Sequence, residues 1–450
     1  MQSDQTKHLT SRPGTIRRVY SRREALKRAG LVAGGAAALS LPKASSAFAA
    51  PAFLQGATIN LKYGTWFWEE PGRAEAWRAM IEDFHAAQSE IRIEESGAGF
   101  NEFTQNIIIQ MEAGGVEDDV IQTTPDLVLR LLDRGQLEPV QSVIEELGIT
   151  TLSPSHNYIT IDDNLYGLDV VTVAFGLLYN NATFEAAGVG EPASIEEWIE
   201  TTTALTDRDA SKFGIWAPHL LAEEGDFWFQ LQMWVQPYNG IWAEGGTPLV
   251  TSEPILQGLT LFKQMYDAAI PQGTNSATAT RMFAEGQIAQ ELIVSAAVNS
   301  IRDVGPEVYP NLRSAILPWE SKRSISRIHP ITVNANGQNK DAAKEFLKFL
   351  YTPENYRNLL TRQLDVIPSY DVGGLDEYFA DLPWLNGYNN ISPITPPEIM
   401  GDFIFFNQEF GNIVLTKFQE VLSGNRPVED AMADAQAELE ILAENSGLGA

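Results

Sequence analysis

One stretch of this sequence limits the folds open to it more than any other. From Tyr166 to Tyr179 it reads YGLDVVTVAFGLLY, apolar and β-branched, with a single charge at Asp169. A strand inside one core runs about five or six residues. A stretch of this length and propensity is therefore predicted to leave one globular unit and enter another. The total length of 450 residues, with 44% hydrophobic side chains, is enough for two such units.

The flanking patterns give those units a class. Ile59, Leu61 and Tyr63 alternate with polar neighbours as a strand, and Pro71-Gly72 opens a helix with Trp77, Met80, Ile81 and Phe84 on one face. A strand from Ile91 to Glu94 and a helix through Phe103, Ile107, Ile108 and Met111 follow. Val120 to Gln122 reads as a third strand; Thr124 then caps a helix with Pro125 in its first turn, and Gly135 ends it. After the long stretch the alternation resumes. It continues with a capping box Ser194-x-x-Glu197, a strand near Phe213 to Trp216, an aromatic helix from Phe227 to Val235, a helix with Ile255, Leu259, Phe262 and Tyr266, and a strand from Ile288 to Val294. Helical patterns dominate from Lys340 onward, including a run from Pro397 to about Ala443. Such alternation predicts an α/β fold with a largely parallel sheet, its function outside the carboxyl ends of the strands.

Charge divides the chain unevenly. Residues 1–49 hold nine basic and two acidic side chains, so the remainder carries about -35 of a whole that totals -28. The basic head, the apolar run Ala29 to Leu41 and the small residues ending Ala47-Phe48-Ala49 have the order of an export signal too short to span a bilayer. Ser21 to Lys27, SRREALK, resembles the twin-arginine signal with its usual Phe replaced by Ala25. The mature chain is expected to start near Ala50, soluble in the periplasm. Without cysteine, and with five His, thiolate, haem and multi-His metal centres are disfavoured, and no cofactor or metal is expected. The strong acidity disfavours nucleic acid and membrane surfaces as partners. The nearest match to a dinucleotide loop, Gly97-Ala98-Gly99-Phe100-Asn101-Glu102, ends in Glu where Gly or Ala is needed, and reads as a plain strand-to-helix turn.

A family resemblance rests on several segments in order. They are Pro125-Asp126, Gly135 to Pro139 (GQLEP), Tyr166 to Val171, Leu178 to Val189 (LYNNATFEAAGV), Glu197-Trp198 with Leu205-Thr206, Phe283 to Ala289 (FAEGQIA), and Ile331 to Glu354. Together they resemble the extracellular solute-binding proteins of the maltose-binding type, family 1. The resemblance implies a two-lobed α/β periplasmic binding fold of type II, with a hinge and a ligand cleft between the lobes. The lobes are placed at 57–168 plus 317–368 and at 172–316 plus 372–450. It also implies a monomeric receptor that closes on a carbohydrate and delivers it to the membrane permease of an ABC importer, without catalysis.

Sugars call for aromatic faces and for amides and carboxylates that hold hydroxyls. Trp66, Phe67, Trp68 and Glu69, just after the first strand, meet that need. Thr124 and Asp126 stand where the family often binds hydroxyls, and Asp169 is a carboxylate at the crossing that must find a partner. In the second lobe the candidates are Trp228, Trp234 and Trp242. Ser295-Ala-Ala297 stands where many sugar-binding relatives have Gly-Trp, so Trp384 and Tyr388 are candidate replacements. His329 and Asn334 are weaker candidates; Arg281 and Arg362 matter only for an anionic ligand. The alternative is a secreted carbohydrate hydrolase or lyase, using carboxylates such as Glu69-Glu70 or Asp162-Asp163.

Overall fold

Three strands and two helices build the leading α/β layer as the patterning predicts. A computed structural model describes residues 58–448 apart from 71 and 364–366. The export signal and the start near Ala50 lie outside the described residues. Strands β1 (Ile59–Gly64), β2 (Ile91–Ser96) and β3 (Val120–Gln122) pair in parallel, with β1 central. The helices Arg73–Ala87 and Phe100–Ala113 turn Trp77, Met80, Ile81 and Phe84, and Phe103, Ile107 and Met111, into the core behind the sheet.

The long apolar stretch forms β4 (Leu168–Asn180), buried along its whole length. Its first half, with Leu168, Val170, Val171 and Val173, joins a core containing Leu61, Trp77 and Phe346. The second half, with Phe175, Leu177, Leu178 and Tyr179, joins another containing Trp198, Trp234 and Phe262. Beyond it β5 (Gln290–Val294) and β6 (Leu312–Ala315) both pair with β4. A second long strand, β7 (Arg323–Asn334), crosses the other way, with Ile325 in the second core and Ile328, Ile331 and Val333 in the first. The sheet order is β5-β4-β7-β3-β1-β2.

The expectation of a largely parallel sheet needs correction. β4 pairs antiparallel with β5, β6 and β7, and β7 runs antiparallel to β3. A chain that leaves one unit and returns through the same narrow passage must reverse direction there. Two other elements also differ. Phe213 and Trp216 make only isolated parallel bridges to Ile288 and Glu291. The run after Pro397 breaks into the helices Pro396–Met400, Asn407–Leu422 and Val428–Ser446, interrupted at Gly401 and Gly424, which have φ of 52° and 78°.

Where the strands cross, β7 carries a bulge between Ile328 and Pro330. Pro330 has no N–H, and the displaced His329 N–H donates instead to Asp169 Oδ1 at 3.2 Å. Thr172 Oγ1 donates to Asp169 Oδ2 at 2.5 Å, so both carboxylate oxygens are occupied within the crossing itself. Gln122 Nε2 donates to the His329 carbonyl at 2.5 Å, tying β3 to the same bulge. Among the described residues no helix is long and apolar enough to cross a membrane.

A second buried carboxyl lies deeper in the second core. Glu291 of β5 stands opposite Leu178 on a face covered by the segment Pro383 to Asn390. Tyr388 of that segment donates to the Ile293 carbonyl at 2.9 Å and packs so closely on Gly176 that a Cβ there would lie 2.6 Å from the ring. Burial alone pushes the Glu291 carboxyl up to about 8, from an ordinary 4.5. Between those values the folded chain holds a proton that the unfolded chain releases, so this group's contribution to stability falls as pH rises. Glu291→Gln removes the titration. Urea unfolding from about pH 5 to about pH 8 is expected to show the variant gaining on the parent as pH rises, whereas parallel curves would exclude Glu291 as the source.

Candidate functional site

The first half of the site is built at the carboxyl end of β1. Thr65 Oγ1 accepts from Phe67 N at 3.0 Å and starts the short 3-10 turn Trp66–Glu69. Gly97 lies so near this turn that a Cβ would stand 2.0 Å from the Thr65 carbonyl. That close approach is what the Gly-x-Gly segment provides, and it delivers Phe100 edge-on to Trp66, with ring centroids 5.0 Å apart. The bulge at β7 brings the His329 ring to 5.5 Å from Trp66 and 5.6 Å from Phe67. His329 Nδ1 lies 3.2 Å from the Val171 carbonyl, which only accepts; Nδ1 therefore carries the proton and Nε2 is left as an acceptor. Burial, reinforced by Arg73 and Arg327, pushes the pKa of His329 well below the ordinary value, and the ring is neutral.

Arg327, two residues earlier on β7, joins this half to the second. Its guanidinium carbon is 4.0 Å from the centroid of Phe229, on the helix Glu224–Trp234, and 5.4 Å from that of Phe100. One cation is thus held between an aromatic ring from each core. Among the described residues it donates no hydrogen bond to any protein group. Burial lowers its pKa, opposed by the negative charges of Asp126, Asp226 and Glu70. Glu70 is closed into an ion pair with Arg73 at 2.7 Å. Asp126 accepts from Thr124 Oγ1 at 2.6 Å. The Asp226 carboxyl is raised by desolvation and by Glu223, against the pull of Arg327. The junction therefore sets donors and acceptors beside aromatic surfaces, around one cation on a strand shared by both cores.

Not all the residues singled out in the sequence meet at this junction. Trp66 is buried within it, and Trp68 is anchored by a 2.9 Å bond from Nε1 to the Ser96 carbonyl, while Glu69 is exposed. Thr124 occupies the cap position before Pro125 but makes no capping bond, since its hydroxyl turns to Asp126. Asp169 is fully buried in the strand crossing. Ser295 directly follows β5, with its hydroxyl buried and unpartnered among the described residues. Trp234 stacks on Trp198 at 5.3 Å, and Trp228 packs on Trp242 at 4.9 Å with its Nε1 bonded to Asn407, all inside the second core. Trp384 and Tyr388 belong to the segment over Gly176 and Glu291. Asn334 bonds the Val116 and Asp118 carbonyls, Arg362 pairs with Asp83, and Arg281 is exposed on its helix. Asp162 and Asp163 form the positive-φ turn of the small hairpin Thr160–Ile161/Asn164–Leu165.

The sequence reading missed Arg327, Phe100, Phe229 and Asp226. Arg327 had a usable signal, because a cation inside a strand that crosses two cores must be matched, as was argued for Asp169.

Two cores that share antiparallel crossing strands, with aromatic and charged groups gathered at the crossing, define a two-lobed binding protein. The chain belongs to the bacterial extracellular solute-binding proteins, whose family model matches residues 68–357. A binding protein of Brucella abortus (strain 2308) is 23% identical over 435 residues, covering 92% of this chain and 98% of its own. Among solved structures, a solute-binding protein of an ABC transporter from Thermotoga lettingae TMO, bound with α-D-tagatose, has a TM-score of 0.71 at 18% identity. It covers 86% of this chain and 100% of its own. One from Agrobacterium vitis S4 with bound D-mannitol has a TM-score of 0.69 at 16% identity, covering 88% and 100%. The cyclic α-maltosyl-1,6-maltose binding protein of Arthrobacter globiformis has a TM-score of 0.71 at 17% identity, covering 86% and 100%. These likenesses establish the fold.

The crossing gives a direct test of stability. Asp169→Ala strands the buried His329 N–H and the Thr172 hydroxyl, and is expected to cost about 1–3 kcal/mol by chemical denaturation. An unchanged midpoint would mean that the bulge finds other partners.

Proposed function

We propose that this protein is the periplasmic receptor of an ABC importer, closing its two lobes on a carbohydrate and presenting it to the membrane permease. The lobes in this reading are 57–168 with 317–368 and 172–316 with 372–450, and a twin-arginine signal in residues 1–49 sends the folded monomer across the membrane. The observation that carries the reading is the guanidinium of Arg327, lying over the rings of Phe100 and Phe229 without a hydrogen-bond acceptor among the described residues and under the negative charge of Asp126 and Asp226. Hydroxyls both donate and accept, so a polyhydroxyl ligand serves the cation and the carboxylates together, while its apolar face meets an aromatic ring. The ligands named for the similar structures, α-D-tagatose and D-mannitol, are of that chemical kind. The receptor needs neither cofactor nor nucleic acid and performs no hydrolysis.

Of the residues first singled out, Trp66, Trp68, Glu69, Thr124, Asp126 and Ser295 remain in this proposal, joined by Arg327, Phe100, Phe229 and Asp226. Thermal-shift screening with sugars and polyols, followed by chromatography of the mixtures, tests it. Stabilisation without product is the expected result, and turnover of an oligosaccharide would replace the receptor with an enzyme. In calorimetry with a ligand so found, Phe229→Ala and Asp226→Asn are each expected to weaken binding by about 1–3 kcal/mol. Unchanged affinity in a folded variant removes that residue from the site.

A further inference from the structure

We propose that Arg327 sets the size of the ligand, admitting one sugar ring or an open-chain polyol against its guanidinium edge and excluding an oligosaccharide that runs between Phe100 and Phe229. This inference rests on the carbohydrate reading above. A sugar chain crossing a cleft needs an aromatic platform for each ring it buries. Here the two platforms contributed by opposite cores face the same guanidinium, 4.0 Å and 5.4 Å from its carbon, so the space between them is already occupied. The guanidinium carbon lies over both rings, and the N–H groups of Arg327 have no protein acceptor among the described residues. A ligand is therefore expected to meet Arg327 through those N–H groups. Asp126 and Asp226, whose negative charges act on Arg327, supply acceptors for the hydroxyls of that single unit.

Direct hydrogen bonds also join segments of the two lobes. On the Asp126 side, Arg130 Nη2 donates to the Phe405 carbonyl at 3.0 Å, and Tyr158 donates to the Glu398 carboxylate. On the side of the 3-10 turn, Asn299 Nδ2 donates to the Gln363 carbonyl at 3.4 Å, and a Cβ on Gly72 would lie 3.6 Å from the same amide. Arg327 is held rigidly enough to act as a stop: it stands on β7 opposite Val173, within the ladder that binds β7 to β4, and does not sit on a loop.

The test measures thermal shift and calorimetric affinity of the full chain against two panels. One contains pentoses, hexoses and their alditols; the other contains trisaccharides derived from maltose, chitin and xylan. The expected result is binding of at least one small probe and no comparable binding of any trisaccharide. In Arg327→Ser the small probe is expected to weaken by roughly tenfold or more as charge-assisted bonds are lost. A trisaccharide is expected to gain affinity in the same variant. A parent protein that binds a trisaccharide as tightly as its best single unit overturns the size limit. So does an Arg327→Ser variant, folded by near-ultraviolet circular dichroism, with both affinities unchanged. If Arg327→Ser does not fold, the two panels on the parent decide alone. If neither panel binds, the carbohydrate reading itself falls, and the size limit falls with it.

Discussion

The bulge at His329 is the constraint on which the rest of this structure depends. Two apolar cores share β4 and β7, and neither strand can shift register without moving side chains of both cores to the wrong face. Pro330 interrupts the ladder at the crossing, and Asp169 restores it by accepting the displaced N–H and a threonine hydroxyl. An unpaired donor there would cost about 1–3 kcal/mol. The same irregularity turns His329 toward Trp66 and Phe67, so the device that closes the ladder also contributes to the site.

Much of the fold was legible in the sequence because it follows from simple periods. Ile59, Leu61 and Tyr63, and the helix with Trp77, Met80, Ile81 and Phe84, stand where alternation and helical spacing put them. The first crossing was legible because a β-branched run of such length fits no single core. The second passage came from the family resemblance, which set it at 316/317, and not from the residues, since Arg323 to His329 mixes Ser, Arg and Ile like an ordinary half-exposed strand. Only its register against β4 reveals that it is buried between units. Strand direction was illegible for a related reason: side-chain alternation is the same in parallel and antiparallel ladders.

The site was less legible than the fold, and the misses share a cause. Phe229 lies in FWFQLQMW, a helix segment apolar on nearly every side, where periodicity selects no face. Its neighbours Trp228 and Trp234 are larger and drew attention, yet both are packed into the second core. Phe100 sits in a glycine segment that invites comparison with a nucleotide loop. The structural reason for the first of those glycines is that a Cβ on Gly97 would lie 2.0 Å from the Thr65 carbonyl. Residue type identified the aromatic and acidic chemistry, but long-range packing decided which members of each type face the junction.

The position of Arg327 also bears on how the lobes move. Strand β7 belongs to both cores, so its cation stands on shared ground, whereas Phe100 packs against the first core and Phe229 against the second. With Glu70 already neutralised by Arg73, removing Arg327 would leave Asp126 and Asp226 to repel across the cleft. In a body that carries about -35 once residues 1–49 are set aside, a cation on the strand shared by both cores offsets acidic charge that acts on it from either side.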